Sequence, residues 1–245
     1  IEFNDYDMHY GANLIAFPFL PEDTSVGNIF DETFENAAYS IIGEGIAASQ
    51  LPNGMWVGSL NDVESTSGYW VLFNDANEEI LTGCKIDPAT IYDLHYGQNL
   101  ISYSLDYHGD IADVLPDDAE QYIVSIIGEG VAASKFGNLW VGSLSQLEPG
   151  KGYWVKTEQA VSFAYENSGS SNGRVVSDID MHNDMFNQST SQAFYFMNPE
   201  NLNSGDVIVA YNGETIVGAR TYTGNMIDVP VMGYDGFEYS EGYCQ

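Results

Sequence analysis

Basic residues are scarce in this chain: 6 Lys and Arg stand against 36 Asp and Glu, for a formal net charge of −30. Residues 1–84 contain 14 acidic residues and not one Lys or Arg. Such a surface repels nucleic acid and anionic membranes, so we expect neither as a partner. Because few ion pairs can form within the chain, cations in the medium must neutralise it, which favours a salty extracellular or cell-surface setting. Divalent cations could bind at carboxylate clusters, but a solubilising acidic surface explains the composition equally well.

Long apolar runs are also missing. No stretch approaches the ~18 residues that a membrane-spanning helix needs, so we expect no membrane insertion. No basic segment followed by an apolar one marks a signal peptide. The chain opens on Ile1 rather than Met, which favours a processed or excised product. An ordinary apolar fraction over 245 residues nevertheless predicts a folded chain of two or three domains.

Cysteine is nearly absent, with only Cys84 and Cys244 in the chain. The two have no CxxC or metal-ligand spacing. In a secreted protein, a Cys84–Cys244 disulfide closing a long loop is plausible, and we predict it. Two free thiols, or bonds to neighbouring chains, are the alternatives.

Catalytic signatures are missing as well: the sequence contains no GxSxG, HExxH, P-loop or Rossmann pattern. Glu44 and Glu129 each lie between two glycines. A glycosidase needs two carboxylates about 5–10 Å apart in one cleft. Equivalent positions of separate modules are expected to lie much farther apart, so we interpret both residues as structural parts of a turn. The sequence therefore predicts a protein that is not an enzyme.

What the chain does contain is a long repeat. Residues 40–49 read SIIGEGIAAS and residues 125–134 read SIIGEGVAAS. The same motifs flank both copies: YDxHYGxNLI (Tyr6–Ile15 and Tyr92–Ile101), WVGSL (Trp56–Leu60 and Trp140–Leu144) and GYWV (Gly68–Val71 and Gly152–Val155). The offset between copies drifts only from 86 to 84 residues, so one module has been duplicated with two small length changes.

The repeat sets the predicted domain boundaries. We predict repeat module 1 at 1–80, a linker at 81–90, repeat module 2 at 91–166, a Gly/Ser/Asn linker at 167–176, and an all-β domain at 177–245. The predicted fold class is α+β, mainly β: two tandem homologous antiparallel-sheet modules with short helices, each with its own core, followed by a sandwich-like all-β domain.

Local patterns fill in these units. Val26, Ile29, Phe30 and Phe34 have helical spacing after a capping Thr24 or Ser25. The Gly-Glu-Gly steps are predicted to bend or bulge a strand. Ser59–Glu64 and Ser143–Glu148 are predicted to form one helical turn each. Asn212-Gly213 predicts a hairpin in the all-β domain.

Histidine recurs beside acids. Each His has an acid two residues away, in the pairs Asp7/His9, Asp93/His95, His108/Asp110 and Asp180/His182. On a strand this spacing puts both side chains on one face, as a metal or acid–base pair would need. Because His9 and His95 occupy the same repeat position, a packing or hydrogen-bonding role is favoured over a metal site.

Three acidic stretches are calcium candidates. Calcium takes six to eight oxygen ligands from a flexible loop, and no stretch matches the EF-hand pattern. The candidate ligands are Asp178, Asp180 and Asp184 in the third region, Asp75, Asn77 and Glu79 at the end of module 1, and Asp110 and Asp113 in module 2. An ordinary acidic loop is the alternative for each stretch taken singly, but we predict that calcium binds at one of them.

Adjacent aromatic residues in the GYWV motif suggest a second kind of site. Tyr69-Trp70 and Tyr153-Trp154 place neighbouring rings on opposite faces of a strand, so one ring of each pair could be exposed. Exposed Tyr and Trp can stack on sugar rings. Core packing is the usual role of large aromatic side chains and is favoured here.

Two long segments resemble known architecture. NLISY…WVGSL…EPGKGYWV (Asn99–Val155) resembles a repeat module of large secreted proteins of marine bacteria, and Gly205–Tyr243 is similar to the β-domains that accompany it. The resemblance implies an extracellular, multi-modular, non-enzymatic protein of the adhesin or cell-surface type. Such β-domains continue past the Gly-Tyr motif into another strand, whereas this chain stops at Gln245, so the strand is missing or another chain supplies it.

Together these observations predict a structural or adhesive extracellular protein that depends on calcium. It is expected to assemble with itself into a filament or surface layer by strand complementation. An array of carbohydrate-binding modules, with glycans as partners, is the alternative, and a glycoside hydrolase is the least favoured.

Overall fold

The structure is a computed structural model that describes residues 2–32, 37–166, 182 and 184–245. Antiparallel strands dominate these residues and the helices are short, which confirms the predicted mainly-β class. Within the described ranges, no helix is long and apolar enough to cross a membrane. The predicted linker at 167–176 lies outside the described residues.

Module 1 contains two antiparallel sheets. Its elements are β1 (Glu2–Met8), β2 (Gly11–Ala16), β3 (Phe19–Leu20), α1 (Val26–Glu32), β4 (Ala38–Ile42), β5 (Ala47–Gln50), β6 (Trp56–Gly58), β7 (Gly68–Phe73) and β8 (Asn77–Lys85). Five strands form a sheet in the order β2-β7-β4-β5-β6, and three form a second in the order β1-β8-β3. The apolar side of α1, with Val26, Ile29 and Phe30, packs into the core between them.

Module 2 repeats the five-stranded sheet. Its elements are β9 (Tyr92–Leu94), β10 (Gly97–Ser102), β11 (Gly109–Asp110), α2 (Ile111–Val114), α3 (Asp117–Glu120), β12 (Ile123–Ile127), β13 (Ala132–Phe136), β14 (Leu139–Gly142), β15 (Gln146–Leu147), β16 (Gly152–Thr157) and β17 (Val161–Phe163). The order β10-β16-β12-β13-β14 matches that of module 1 strand for strand. The duplicated sequence thus encodes a duplicated sheet.

The third unit, residues 184–245, is called the β-domain below. Its elements are β18 (Gln192–Met197), β19 (Val207–Asn212), β20 (Thr215–Thr221), β21 (Ile227–Met232) and a short 3-10 helix (Glu238–Ser240). The predicted hairpin joins β19 to β20 through Gly213, which has a positive φ of 65°. β18 pairs with β21, and β20 lies against β21 so closely that a side chain at Gly218 would meet Pro230 O at 1.8 Å.

Three local predictions were wrong. Residues 81–85, predicted as linker, belong to β8 and pair with β1 and β3. Ser59–Glu64 and Ser143–Glu148 are not helical, since the second contains β15, which pairs with β11. The Gly-Glu-Gly steps close tight hairpins, in which the amide of Gly43 donates to Ile46 O at 2.9 Å. Gly45 and Gly130 hold a positive φ of 72° and 63° there, which side chains disfavour.

The central strands are buried on both faces. Successive residues of a strand point to opposite sides of the sheet. On β7, Tyr69 and Val71 face the core of module 1, whereas Trp70 and Leu72 face a separate core shared with module 2. The same alternation places Leu14 of β2 and Leu100 of β10 in the shared core. The two five-stranded sheets therefore pack against each other, in addition to the separate core of each module.

Reciprocal contacts show that the modules are related by an approximate two-fold axis. The amide of Ala16 donates to Gly150 O at 2.9 Å, and the amide of its counterpart Ser102 donates to Thr66 O at 3.0 Å. Near the axis, a Cβ on Gly68 would lie 2.9 Å from Ile101 O and 3.1 Å from the Cα of Gly152. The glycine of the repeated GYWV motif is thus needed for the close approach of the two sheets.

Gly68→Ala is expected to destabilise the protein by about 1–3 kcal/mol, because the added methyl overpacks the contact between the modules. Urea unfolding of the full chain measures the change. Gly27→Ala is the matched control: Gly27 lies in α1 with nothing within 4 Å of its Cβ position. It should raise the unfolding free energy by up to about 1 kcal/mol. Equal effects of the two substitutions would contradict the packing argument.

Candidate functional site

The repeated HYGxN segment builds a turn that presents a histidine. In module 1, Asn13 Oδ1 accepts from the amide of His9 at 3.0 Å, and Asn13 Nδ2 donates to His9 O at 2.9 Å. In module 2, Asn99 makes the same two bonds with His95, at 2.8 and 2.9 Å. Both asparagines are buried. The Asn of the motif therefore fixes the backbone at the histidine. This explains why the His and the Asn have the same spacing in both copies.

Each histidine reaches the Gly-Glu-Gly hairpin of the other module. His9 Nε2 lies 2.6 Å from Glu129 Oε1, and the second oxygen of Glu129 accepts from the amide of Leu14 at 2.7 Å. In the mirror arrangement, His95 Nε2 lies 2.5 Å from Glu44 Oε1, and Glu44 Oε2 accepts from the amide of Leu100 at 2.9 Å. Each glutamate thus uses both oxygens to bind the other module.

The histidines face acceptors on both ring nitrogens. His9 Nδ1 lies 2.8 Å from Tyr10 O, and His95 Nδ1 lies 2.8 Å from Tyr96 O. A carbonyl and a carboxylate can only accept, so these contacts favour a ring protonated on both nitrogens. Burial lowers the pKa of His9, but the Glu129 charge and the two hydrogen bonds offset this effect and leave it raised. Hydrogen bonds to Tyr96 O and to Glu44 raise the pKa of His95.

The two pairs differ in exposure. The side chains of His9 and Glu129 are 31% and 8% exposed, against 61% and 39% for His95 and Glu44. Burial raises the pKa of Glu129, but the His9 charge, their hydrogen bond and the more distant Lys151 leave it below its ordinary value. The sequence therefore provides equivalent residues, and their surroundings make one pair a buried contact and the other a surface contact.

The β-domain binds the residues on both sides of Glu129. The guanidinium of Arg220, itself buried, donates to Gly130 O in the hairpin of module 2 and to Asp228 Oδ2 at 3.2 Å. The Asp228 carboxylate also accepts from the amide of Ser143 and, at 2.8 Å, from its hydroxyl. Gln192 adds bonds with Gly128 O and the Gly130 amide at 3.1 and 3.3 Å. These polar contacts attach the β-domain to the repeated Gly-Glu-Gly and WVGSL motifs.

A second part of the β-domain contacts module 1. Asp235 accepts bonds from Tyr239 Oη and Ser240 Oγ, both at 2.6 Å, and from the amide of Thr190 at 3.0 Å. These bonds fix the chain end so that Tyr239 packs in the shared core and would touch a Cβ on Gly11 at 3.6 Å. All three units therefore join at one place.

Among the described residues, the predicted metal ligands lie in separate elements. Asp75 is in an exposed turn after β7, and Asn77 and Glu79 lie on β8. Asp110 accepts from Gln146 Nε2 at 2.8 Å, and Asp113 is exposed on α2. Asp184 is in an exposed turn, and Asp178 and Asp180 fall outside the described residues.

Across the described ranges, no three His, Cys, Asp or Glu residues are grouped to hold a metal ion. Calcium binding therefore stays a prediction.

The aromatic candidates lie mainly in the cores. Tyr69, Trp70 and Tyr153 are buried, and Trp154 is partly buried against the shared core. The prediction that one ring of each pair could be exposed for sugar stacking was wrong for Tyr69 and Trp70, because both faces of β7 are covered. On β16, Trp154 is the one ring with part of its surface accessible.

The predicted disulfide is not formed. Cys84 is an exposed free thiol on β8, and Cys244 is a partly buried free thiol of the β-domain. Cys84 lies on β8 opposite Leu20 of β3, whereas Cys244 forms an isolated backbone β-bridge with Gly233. The two cysteines therefore belong to different sheets. The number of residues between Cys84 and Cys244 could not show that they lie apart in the fold.

No protein-family model, curated protein or solved structure matches this chain. The geometry of the described residues therefore carries the functional argument.

Sequence reasoning found the repeated His and Glu but paired them wrongly. It matched His9 with Asp7, which is exposed, whereas the partner is Glu129 in the other module. Arg220 and Asp228 were missed entirely. One signal was available in the sequence. Arg220 is one of 6 basic residues and lies at a buried position of a strand, where an Arg needs a specific partner.

The unfolding free energy should pass through a maximum in mildly acidic solution. His9 and His95 have raised pKa values, so their contribution is complete below about 6.5 and is lost as pH rises through the higher folded values. Glu129 has a lowered pKa, so its contribution is present above about 4.5 and is lost as pH falls through the folded value. Urea unfolding at stepped pH tests this, and replacing both histidines by Gln should remove the loss on the alkaline side.

Glu129→Gln is expected to cost about 1.5–3 kcal/mol, because a buried carboxylate that accepts two hydrogen bonds loses its charge. Glu44→Gln is the matched control at the equivalent, exposed position, where the expected cost is about 0–1 kcal/mol. Urea unfolding of both variants at pH 6 gives the comparison. Equal losses would show that the difference in burial has no energetic consequence.

Proposed function

We propose that this chain is a non-enzymatic structural or adhesive protein of the extracellular or cell-surface kind, which assembles with itself in a cation-dependent manner. It acts as a preassembled unit of three domains that displays strand edges and an acidic surface. The observation that carries the proposal is the use made of the repeated residues.

The repeated polar residues hold domains together. His9, His95, Glu44 and Glu129 join the two modules, and the Asn residues of the same motif orient the histidines. Gly130 and Ser143 hold the β-domain. A catalytic site needs groups that are free to act on a substrate. Residues whose hydrogen-bonding groups are directed at other domains support a structural role.

Open strand edges support assembly. Within the described part of the chain, β18 pairs only with β21, and β19 pairs only with β20. Each of these edge strands carries an exposed tyrosine, Tyr195 on β18 and Tyr211 on β19, both 60% exposed. An unpaired edge offers backbone donors and acceptors to a strand of another chain.

The charge makes assembly depend on cations. At a net charge of −30, chains repel one another until counterions screen or bind the carboxylates. Calcium is the expected divalent cation in an extracellular setting, and bound calcium would bridge or neutralise acidic loops.

Sedimentation velocity of the full chain should show concentration-dependent assembly in 0.5 M NaCl with millimolar calcium. Tyr195→Lys together with Tyr211→Lys should weaken it, because charged residues on edge strands oppose strand addition. Tyr96→Lys together with Tyr234→Lys is the matched control, since it adds the same two charges at exposed tyrosines outside the strands. A chain that stays monomeric at every concentration tested would refute assembly.

Calcium should raise the melting temperature above its value in EDTA, because a ligand that binds only the folded state stabilises it. At a hundredfold excess over Kd, the stabilisation is about 2.7 kcal/mol. Magnesium at the same concentration separates specific binding from charge screening. An unchanged melting temperature would remove calcium from the proposal and leave the structural role in place.

Carbohydrate binding remains the alternative. Burial of Tyr69, Trp70 and Tyr153 removes most of the stacking surface first considered for it. A glycan array with no signal would leave the structural proposal alone.

A further inference from the structure

The two modules present the same surface, but only one copy is covered. We call residues 45–59 the module 1 face. It comprises the second half of the Gly-Glu-Gly hairpin, β5, β6 and Ser59, which directly follows β6. Its counterpart in module 2, residues 130–143, is the surface that holds the β-domain. The comparison between the copies indicates what the module 1 face is built to hold.

The covered copy shows how docking works. Arg220 donates to Gly130 O, and the Asp228 carboxylate accepts from the amide and hydroxyl of Ser143. An aromatic contact adds to these bonds, with the ring of Phe136 lying 6.2 Å from that of Phe196 on β18. Docking thus combines a guanidinium, a carboxylate and an apolar strand face.

The module 1 face keeps two of the matching groups, the hairpin backbone and the serine hydroxyl, and is open. A Cβ at Gly45 would have nothing within 4 Å, whereas one at Gly130 would meet Gln188 at 2.9 Å. Ser59, the counterpart of Ser143, is exposed, and its amide donates to Ala47 O at 2.8 Å. The backbone of the hairpin and the serine hydroxyl are therefore presented to solvent in module 1.

Apolar side chains surround these groups. The exposed fractions are 41% for Ile46, 39% for Leu51, 55% for Met55 and 42% for Val57. Residues 45–61 also contain no charged side chain, which makes them the longest uncharged run in a chain with 42 charged residues (36 + 6). An exposed apolar surface that escapes the acidic character of its surroundings is typical of a docking surface.

We infer that the module 1 face is a second docking site for a β-domain of the kind formed by residues 184–245, supplied in trans by another polypeptide. The partner presents, on adjacent antiparallel strands, an arginine paired with a carboxylate. The carboxylate takes the hydroxyl of Ser59, the guanidinium takes Gly45 O, and an apolar strand covers Met55 and Val57. Docking contacts both sides of Glu44, as the β-domain of this chain contacts both sides of Glu129.

This site differs from the assembly proposed above, which uses the edges of β18 and β19. Strand addition at those edges and docking at the module 1 face involve different units of the molecule. A failure of either experiment therefore leaves the other proposal standing.

The test uses a full-length variant whose own β-domain serves as the probe. Ser143→Glu places a second carboxylate against the buried Asp228 and is expected to release the β-domain from module 2. Faster amide hydrogen exchange at residues 130–143 reports the release. The released β-domain should then protect residues 45–59, with exchange slowed about tenfold when the domain is present at ten times its Kd.

A second variant is used if Ser143→Glu releases the β-domain from module 2 only in part. Gly130→Asn, added to Ser143→Glu, puts a side chain where Gln188 packs, and Asn tolerates the positive φ of that position. The matched control adds Val57→Glu to the releasing variant, which charges the module 1 face and should abolish the new protection.

Sedimentation velocity distinguishes the source of the β-domain. Association of the releasing variant with wild-type chain, lost with Val57→Glu in the wild-type partner, supports docking in trans. Release at 130–143 with no protection at 45–59 overturns the inference. Association of the wild-type chain alone that Val57→Glu abolishes also overturns it, because the occupant would then be a second module 1 face.

Discussion

Two carboxylates, each bound by residues of the other module, join the two halves of the duplicated structure. Glu129 binds His9 and the amide of Leu14, and Glu44 binds His95 and the amide of Leu100. Neither module satisfies these groups by itself, because each histidine turn meets its carboxylate only across the interface. An approximate two-fold arrangement follows, because the His of each module contacts the Glu of the other module in the same way. The shared core of Leu14, Leu100 and Trp70 fills the space that this arrangement encloses.

The β-domain breaks the symmetry. It binds Gly130 and Ser143 of module 2 and leaves Gly45 and Ser59 of module 1 open. Equivalent residues consequently have different environments, and the same Glu–His contact is buried in one copy and exposed in the other. The buried Arg220–Asp228 pair sits at this junction, where breaking it would leave an uncompensated charge. A duplicated module has thus become two surfaces with different roles.

Much of the secondary structure could be predicted from local patterns. The helical spacing of Val26, Ile29 and Phe30 predicted α1, and Asn212-Gly213 predicted the hairpin that joins β19 to β20. β1 and β8 were not predicted, because neither has a clear alternation of apolar and polar residues; they form a strand pair with each other over seven residue pairs. The runs NLIAF and GYWVLF are apolar at consecutive positions. A strand covered on one face only would alternate, so these runs indicated a sheet covered on both faces, and therefore contact between the modules.

The sequence by itself determined that one module folds twice, that its sheets are antiparallel, and that the molecule carries a large net negative charge. These properties follow from the repeat, the periodicity of apolar residues and the net charge, all of which are visible in the amino-acid sequence. The partners of the repeated polar residues were decided only by the tertiary structure. His9 and Glu129 are 120 residues apart in the chain, and neither spacing nor composition records which carboxylate a histidine will meet. The same limit applies to the β-domain, whose position on one copy and not the other makes equivalent sequences physically different.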